Sequence, residues 1–514
     1  MPTHQAVFPA LCNEPPGDIG AWAGRVGYGL NAAVRDVRYR GSCRKGTNAQ
    51  VWHDADFQEV RSRVNRLHCP QSMAVPASRP PHNLPLHPLI IAAMNAGLSG
   101  QPAYSSPMML TIEHPEILPQ LALLQYGLWP FQEPGGGMGL IVKAPKEAIL
   151  ASRLNNGFKI YLLEDHTGER SHLGLITAFF DDHDEPLVIK SLQYDGDAHL
   201  TDLTALLSQP EFNVHFFDEH DREMLGARAR NPSSDRFCET IATATFHDFA
   251  RDTFEILINR LEDRFSVRDA ADDNLAFTIE LGERLFPDDF VLLDGRDQAY
   301  RFHGADSSLA ANRLDREEPG AFQERDIAVM MGRVYEGSAI FLNPFRDDTG
   351  KELTDILVYD DRAVLFIQAK DSPNTEASLR RSIDRKRAAV RGHIHKAARQ
   401  LTGALSHAKR AGVLKVRRPD GLVELPVGDR DLIGLVVVSE LFDDDYAACS
   451  RPVLQVVRDT ECAAILIDYR GLHIMAQTLR SPTRFTQGLA QLFGVAIDKD
   501  EFPKPAWIGP PPEQ

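Results

Sequence analysis

Asp355, Gln368 and Lys370 are the residues of this 514-residue chain whose types and spacing are best suited to chemistry. They lie in "GKELTDILVYDDRAVLFIQAKDS", Gly350–Ser372, where two apolar runs flank a polar turn at Asp360-Asp361-Arg362. Strand side chains alternate with period two, so Gln368 and Lys370 share a face and Ala369 points the other way. A hairpin brings both to Asp355 at the head of the first run. Asp355 offers a hard carboxylate oxygen and Gln368 an amide oxygen, ligands that Mg²⁺ accepts while keeping several waters. Lys370 can orient or help deprotonate a metal-bound water. Together they are the equipment for metal-assisted phosphodiester hydrolysis.

The segment resembles the PD-(D/E)XK nuclease superfamily, the restriction-endonuclease-like fold, whose pattern is an Asp at a strand start and a later strand ending in (Asp/Glu)-x-Lys. The resemblance covers roughly residues 320–480 and gives those roles to Asp355, Gln368 and Lys370. It implies a helix carrying a Glu, three strands, a long helix and a further strand. Glu324 would be the helix glutamate, supporting a second metal or the water network, with Glu336 a poorer candidate. It also implies Mg²⁺ or Mn²⁺ held by Asp355, Gln368 and the backbone carbonyl of Ala369. Two departures stand out: Thr354 occupies the position of the family's Pro, and Gln368 replaces a carboxylate. The second removes a negative charge, which weakens metal affinity. The tripeptide alone is a weak signal, since Asp384-Arg385-Lys386 matches it inside an expected helix. The upstream Asp, the two apolar strands and the basic helix that follows give the pattern its weight.

That basic stretch inverts the chain's charge locally. Arg380–Arg418 holds thirteen Lys/Arg and one acidic residue, Asp384, in a chain of net charge −16. Phosphate neutralisation needs such a patch, and Arg380, Arg381, Arg385, Lys386, Lys396 and Arg399 are its candidate contacts. The competing explanation is a solvated helix face. Gln400 is a weaker candidate for facing the catalytic site.

Around these residues the chain divides into regions. Residues 319–500 alternate: helix over Gln323–Gly337, strand over Ser338–Phe345, the hairpin, a long helix over Glu376–Arg410, strands at Leu432–Glu440 and Ala463–Tyr469, and a closing helix. This predicts an α/β domain with a mixed sheet flanked by helices. Residues 108–226 predict an α+β accessory module with an antiparallel meander, Gly157–Asp165, Leu173–Asp182 and Pro186–Tyr194. Ala227–Arg236 reads as a linker and 237–318 as a mainly helical connector, with Phe246, Phe249, Phe254, Leu257 and Leu261 on one helix face. Residues 1–107 hold 12 of the 33 prolines and little periodicity. They read as a disordered or loosely packed arm, or as preceding a natural start at Met108 or Met109. Residues 501–514 are a Pro-rich tail.

Other chemistry is disfavoured. Six scattered cysteines without a CxxC pair argue against structural zinc, and Cys462 lies in an apolar segment expected to be core. "EPGGGMGLIVK" (Glu133–Lys143) lacks the phosphate-loop pattern and reads as a turn. "FFDDHDE" (Phe179–Glu185) and "HFFDEHD" (His215–Asp221) cluster residues that could bind a metal, but both fall where turns are expected and polar turns are the better reading. No apolar run reaches transmembrane length and no signal pattern opens the chain, so a cytoplasmic location is expected. The expected function is a metal-dependent nuclease acting on DNA, by analogy in restriction, repair or anti-phage defence. The 108–226 module would then recognise a protein partner, a second copy, a ligand or a substrate feature, and restrain the nuclease. The alternatives are a non-catalytic nucleic-acid-binding or assembly protein on a decayed nuclease fold, and an RNase.

Overall fold

The computed structural model describes residues 109–503, apart from gaps at 122–123, 125, 134–135, 168–169, 182–185, 194–197, 245–253, 288–290, 294–300, 306–308, 312, 419–420 and 443–444. The expectations for 1–107, for the tail beyond Pro503, and for Phe246 and Phe249 lie outside the described residues.

Two short helices, α1 (Leu110–Glu113) and α2 (Leu118–Leu121), lead into an eight-stranded sheet. Its strands are β1 (Gly127–Gln132), β2 (Met138–Lys143), β3 (Gly157–Thr167), β4 (Arg170–Phe179), β5 (Leu187–Gln193), β6 (Glu211–Phe217), β7 (Glu223–Arg230) and β8 (Phe277–Arg284). They run in the order β1-β2-β6-β7-β8-β3-β4-β5, antiparallel throughout except β2 with β6. The expected meander is β3-β4-β5. Its strands are apolar without a clear alternation because both faces are covered. Ile160, Leu175 and Ile189 join the main core. The alternate Tyr161, Ile176 and Val188 pack on Leu257, Ile258 and Leu261 of helix Phe254–Ser266. The other helices of this region are α3 (Lys146–Leu154), α4 (Ala198–Leu207), α5 (Ser234–Thr243) and α7 (Ala270–Leu275), the Phe254–Ser266 helix being α6.

Two expectations change here. The supposed linker Ala227–Arg236 opens with the end of β7, where Ala227 and Ala229 are buried and Arg228 and Arg230 are exposed. That alternation marks a strand covered on one face. The supposed helical connector holds α6 and α7, but also β8, which pairs with β7 and β3 inside the sheet. The period-two apolar residues Phe277, Ile279 and Leu281 were its signal, overridden by the helical texture on the N-terminal side. A short hairpin, β9 (Val291–Leu293) with β10 (Leu309–Ala311), follows.

The remaining elements are α8 (Gly320–Met331), β11 (Ile340–Leu342), β12 (Phe345–Arg346), β13 (Ile356–Tyr359), β14 (Ala363–Lys370), α9 (Glu376–Leu379), α10 (Ile383–Ala411), β15 (Val413–Arg418), β16 (Gly421–Pro426), β17 (Asp431–Val438), α11 (Tyr446–Thr460), β18 (Ala463–Asp468), α12 (Tyr469–Thr478) and α13 (Pro482–Lys499). A five-stranded sheet runs β11-β13-β14-β17-β18. Its first three strands are antiparallel, and β14, β17 and β18 are parallel. Residues 363–369 of β14 are all buried, as a central strand between helical layers requires. Helix α10 lies directly on β17 because Gly434 has no side chain: a Cβ there would come within 2.5 Å of Leu401 Cδ2. The strands β12, β15 and β16 form a separate small sheet.

The long helix expected over Glu376–Arg410 is two helices. Ser382 has extended backbone (φ −60°, ψ 151°) and breaks it, so Arg381 does not share a helical face with Arg385. The strand expected over Ser338–Phe345 is likewise split into β11 and β12 at Asn343, which takes a left-handed φ of 47° immediately before Pro344. The expected helix over Gln323–Gly337 starts at Gly320 and ends at Met331. The chain is thus mixed α/β, with mixed sheets flanked by helices and one hydrophobic cluster running from Tyr126 to Phe502. Among the described residues no helix is long and apolar enough to cross a membrane.

Candidate active site

Asp355 precedes β13 by one residue, and the Ile356–Ile367 register places it across from Gln368. The hairpin therefore brings together the three residues singled out by the sequence. Lys370 Nζ donates to Asp355 Oδ2 at 2.8 Å, to the Ala369 carbonyl at 2.8 Å and to Gln368 Oε1 at 3.4 Å. The Ala369 backbone N–H donates to the same Asp355 oxygen at 2.7 Å. Asp355 and Gln368 are buried, and Lys370 is nearly so.

Thr354, a departure from the family pattern, has a definite part in this geometry. Its hydroxyl donates to the Ile367 carbonyl at 2.8 Å, which leaves the oxygen to accept from Gln368 Nε2 at 3.2 Å. An ammonium only donates, so the end of the amide facing Lys370 must be Oε1. Thr354 and Lys370 together fix the Gln368 amide with its oxygen toward Asp355 and Lys370.

Glu324, on α8, also belongs here. Burial pushes its carboxyl up to about 7, and the nearby Asp355 and Glu352 charges add to this. A hydrogen bond from Asn343 and the Lys370 charge work in the opposite direction. Asn343 also holds Asp355 in place, its backbone N–H donating to the Asp355 carbonyl at 2.8 Å. Its left-handed conformation is one that Asn tolerates better than most residues. Glu352 lies at the exposed rim, raised by partial desolvation and by Asp355. Glu336 is exposed, preceding a single 3-10 turn. On α10, His393 is the residue that senses the site: burial first, then Lys370 and Lys396, hold it below its usual value, against Asp371. Gln400 lies exposed two turns further on. The sequence reading missed Asn343, Glu352 and His393. None carries a motif of its own, and only the fold brings each near Lys370.

The nucleic-acid candidates divide. Arg381, Arg385, Lys396 and Arg399 are exposed, and Arg380 is exposed but paired with Glu376 at 2.7 Å. Lys386 is a correction: its ammonium lies 2.6 Å from the buried Asp181 Oδ2 in the eight-stranded module and is engaged there. Asp371, next to Lys370, is likewise paired with Lys146 of α3. Burial disfavours the Lys146 charge, but Asp371 and Glu147 outweigh it and raise Lys146 above its usual range. The upstream module is thus fastened beside the end of β14.

The Gly-rich segment at Glu133–Lys143 is a β1–β2 hairpin, with Gly136 at φ 82° and Gly137 at φ 117°. Cys462 is buried. His215–Asp221 is not a solvated turn. His215 bonds Glu223 at 2.8 Å, Asp218 bonds Arg222 at 2.7 Å, and His220 reaches Tyr469 across to α12. Its polar residues are buried because the C-terminal domain packs onto them.

Among the described residues no group of three or more His, Cys, Asp or Glu is arranged to hold a metal ion. The oxygen set at the hairpin has a different make-up: one carboxylate, one amide and one backbone carbonyl. Comparison with family models, with curated proteins and with solved structures returns no match for this chain.

Proposed function

We propose that residues 319–500 form a metal-dependent nuclease of the PD-(D/E)XK type in its Gln-x-Lys form, hydrolysing phosphodiester bonds in DNA, in restriction, repair or anti-phage defence. The observation that carries this reading is the convergence of Asp355 Oδ2, Gln368 Oε1 and the Ala369 carbonyl on one positive charge, the Lys370 ammonium. Three hard oxygens gathered around a cation fit Mg²⁺ or Mn²⁺ in donor type. The element order supports it as well: helix α8 with Glu324, three antiparallel strands, the α10 helix, then parallel β17.

Asp355, Gln368 and the Ala369 carbonyl would hold the metal. When bound, it would supply Lewis-acid polarisation of the phosphate and an activated water. Lys370 would hydrogen-bond and orient the attacking water. Glu324 is poised near neutrality to accept a proton or to back the water network. One carboxylate in the cage predicts weak metal affinity without nucleic acid, the substrate phosphate completing the ligand set. Arg385, Lys396 and Arg399 would track the backbone.

The test is incubation of the purified chain with plasmid DNA, single-stranded DNA and RNA, in Mg²⁺, Mn²⁺ or EDTA. Cleavage should require the metal and fall about 10²-fold or more in Asp355→Ala and Lys370→Ala. Cleavage surviving both substitutions would overturn the site. Salt-sensitive binding without cleavage would select the non-catalytic reading. Cleavage of RNA alone would make the protein an RNase.

A further inference from the structure

A second polar site lies where the eight-stranded module meets the carboxyl ends of β17 and β18. It is a cavity of about 80 Å³, lined by Lys146 and Glu147 at the start of α3, Glu219 and Arg222 in the β6–β7 turn, Gln323 on α8, and Glu440 after β17. In open α/β sheets the crevice beyond the carboxyl ends of parallel strands is where ligands bind.

The charges around it are unequally served. Four cations line it and all are engaged: Lys146 with Asp371, Arg222 with Asp218 at 2.7 Å and with Asp326 at 2.9 Å, Arg316 with the Arg313 carbonyl at 2.7 Å, and Arg470 over the Tyr126 ring at 5.0 Å. The acceptors are not. Glu219 is 8 % exposed and its Oε2 is buried with no hydrogen-bond partner. Gln323 is 5 % exposed and its Oε1 is in the same condition. Neither Glu147 nor Glu440 is ion-paired to any described residue. Leaving a buried acceptor unmatched is costly, and native folds do so where something else supplies the donor.

We propose that this cavity binds a small organic cation with several N–H donors, a guanidinium or alkylammonium group, held by Glu219, Glu440 and Gln323. Anions are disfavoured by three unpaired carboxylates. A directly ligated metal is disfavoured because no three acidic, His or Cys side chains among the described residues converge on one point. Separated acceptors suit a cation whose donors are themselves spread over several atoms. A cavity of about 80 Å³ matches such a headgroup better than a nucleotide. The carboxylates also explain a pH dependence. Burial, with Asp218 and Glu147 adding and Lys146 opposing, pushes Glu219 up to about 8. Burial, with Glu147, Asp181 and Asp468 adding and Lys386 opposing, raises Glu440. A cation therefore displaces protons and binds more tightly as pH rises.

The proposal stands apart from the nuclease reading and is tested by thermal unfolding of the full chain in EDTA. Methylguanidine or butylamine, each a monocation, should raise Tm saturably, more at about pH 9 than at about pH 6. Tetramethylammonium, equally charged but without N–H, should not. Glu219→Gln and Glu440→Gln should each weaken the effect tenfold or more, with Tm of the free protein unchanged or higher, which separates lost binding from misfolding. No saturable shift at either pH, an equal shift from tetramethylammonium, or a shift surviving both variants would overturn it. So would Mg²⁺, in place of EDTA, reproducing the shift through Glu219 in the Asp355→Ala protein.

Discussion

At the end of β14, Asp355 is buried with an ammonium at 2.8 Å and a backbone N–H at 2.7 Å on one oxygen. In the interdomain cavity, Glu219 is equally buried and one of its oxygens meets no donor. The two carboxylates differ in who their neighbours are. Asp355 faces Lys370 across a single hairpin. Glu219 faces Glu147 and Asp218, with Lys146 drawn off to Asp371. A matched buried charge fixes geometry, whereas an unmatched one keeps a proton or awaits a ligand. The first arrangement suits catalysis and the second suits binding.

Opposite stability effects are the largest expected consequence. Lys370→Met leaves Asp355 buried without its cation and should cost about 3 kcal/mol in urea unfolding with EDTA. Glu219→Gln should do the reverse. Glu219 sits at about 8 in the folded chain against an ordinary 4.5. Between these values the folded chain keeps a proton that the unfolded chain has released, so stability falls as pH rises through the window. Glu219→Gln should flatten that fall and leave the protein more stable above about pH 8. If both substitutions destabilise alike, the contrast between matched and unmatched charge is wrong.

The same contrast explains what was legible in the sequence. The hairpin site could be read because period-two alternation and one antiparallel turn suffice to bring Asp355, Gln368 and Lys370 together. Strand β8 and the linker-like start at Ala227 were misread because sheet pairing across some 50 residues overrides local texture. The cavity was out of reach for a stronger reason. Lys146, Glu219, Gln323 and Glu440 come from four separated elements, and only Glu219 falls in a segment the sequence singled out, His215–Asp221, where it read as part of a polar turn. Lys386 shows the same limit: its place in a basic run suggested phosphate, but a contact with Asp181, more than 200 residues away in the chain, decides its role.

Glu324 lies between the two cases, with an opposing cation near it but two carboxylates as well. If its ionised form is needed, Mg²⁺-dependent cleavage should drop about tenfold per pH unit below about 7, and Glu324→Gln should be slow and without that limb. Raising the metal concentration should move the limb to lower pH, because a nearby cation favours the carboxylate. A limb that persists in Glu324→Gln would assign it to another group, His393 being the next to test.

The smallest effect concerns a residue that never touches the reacting atoms. Thr354 donates to the Ile367 carbonyl and accepts from the Gln368 amide, so it fixes which end of that amide faces the site. Thr354→Val keeps the shape and removes both hydrogen bonds. Gln368 can then turn its NH₂ inward, where it repels any cation. The expected result is a rise of about tenfold in the Mg²⁺ concentration needed for half-maximal cleavage, with the rate at saturating metal changed less. Thr354→Ser should restore the wild-type value, because its hydroxyl makes the same two bonds. Gln368→Glu makes the comparison sharper. A carboxylate has no NH₂ end to turn inward, so Thr354→Val in that background should leave the metal requirement nearly unchanged. If the requirement rises by the same factor in both backgrounds, Thr354 supports the backbone of β14 and does not orient Gln368.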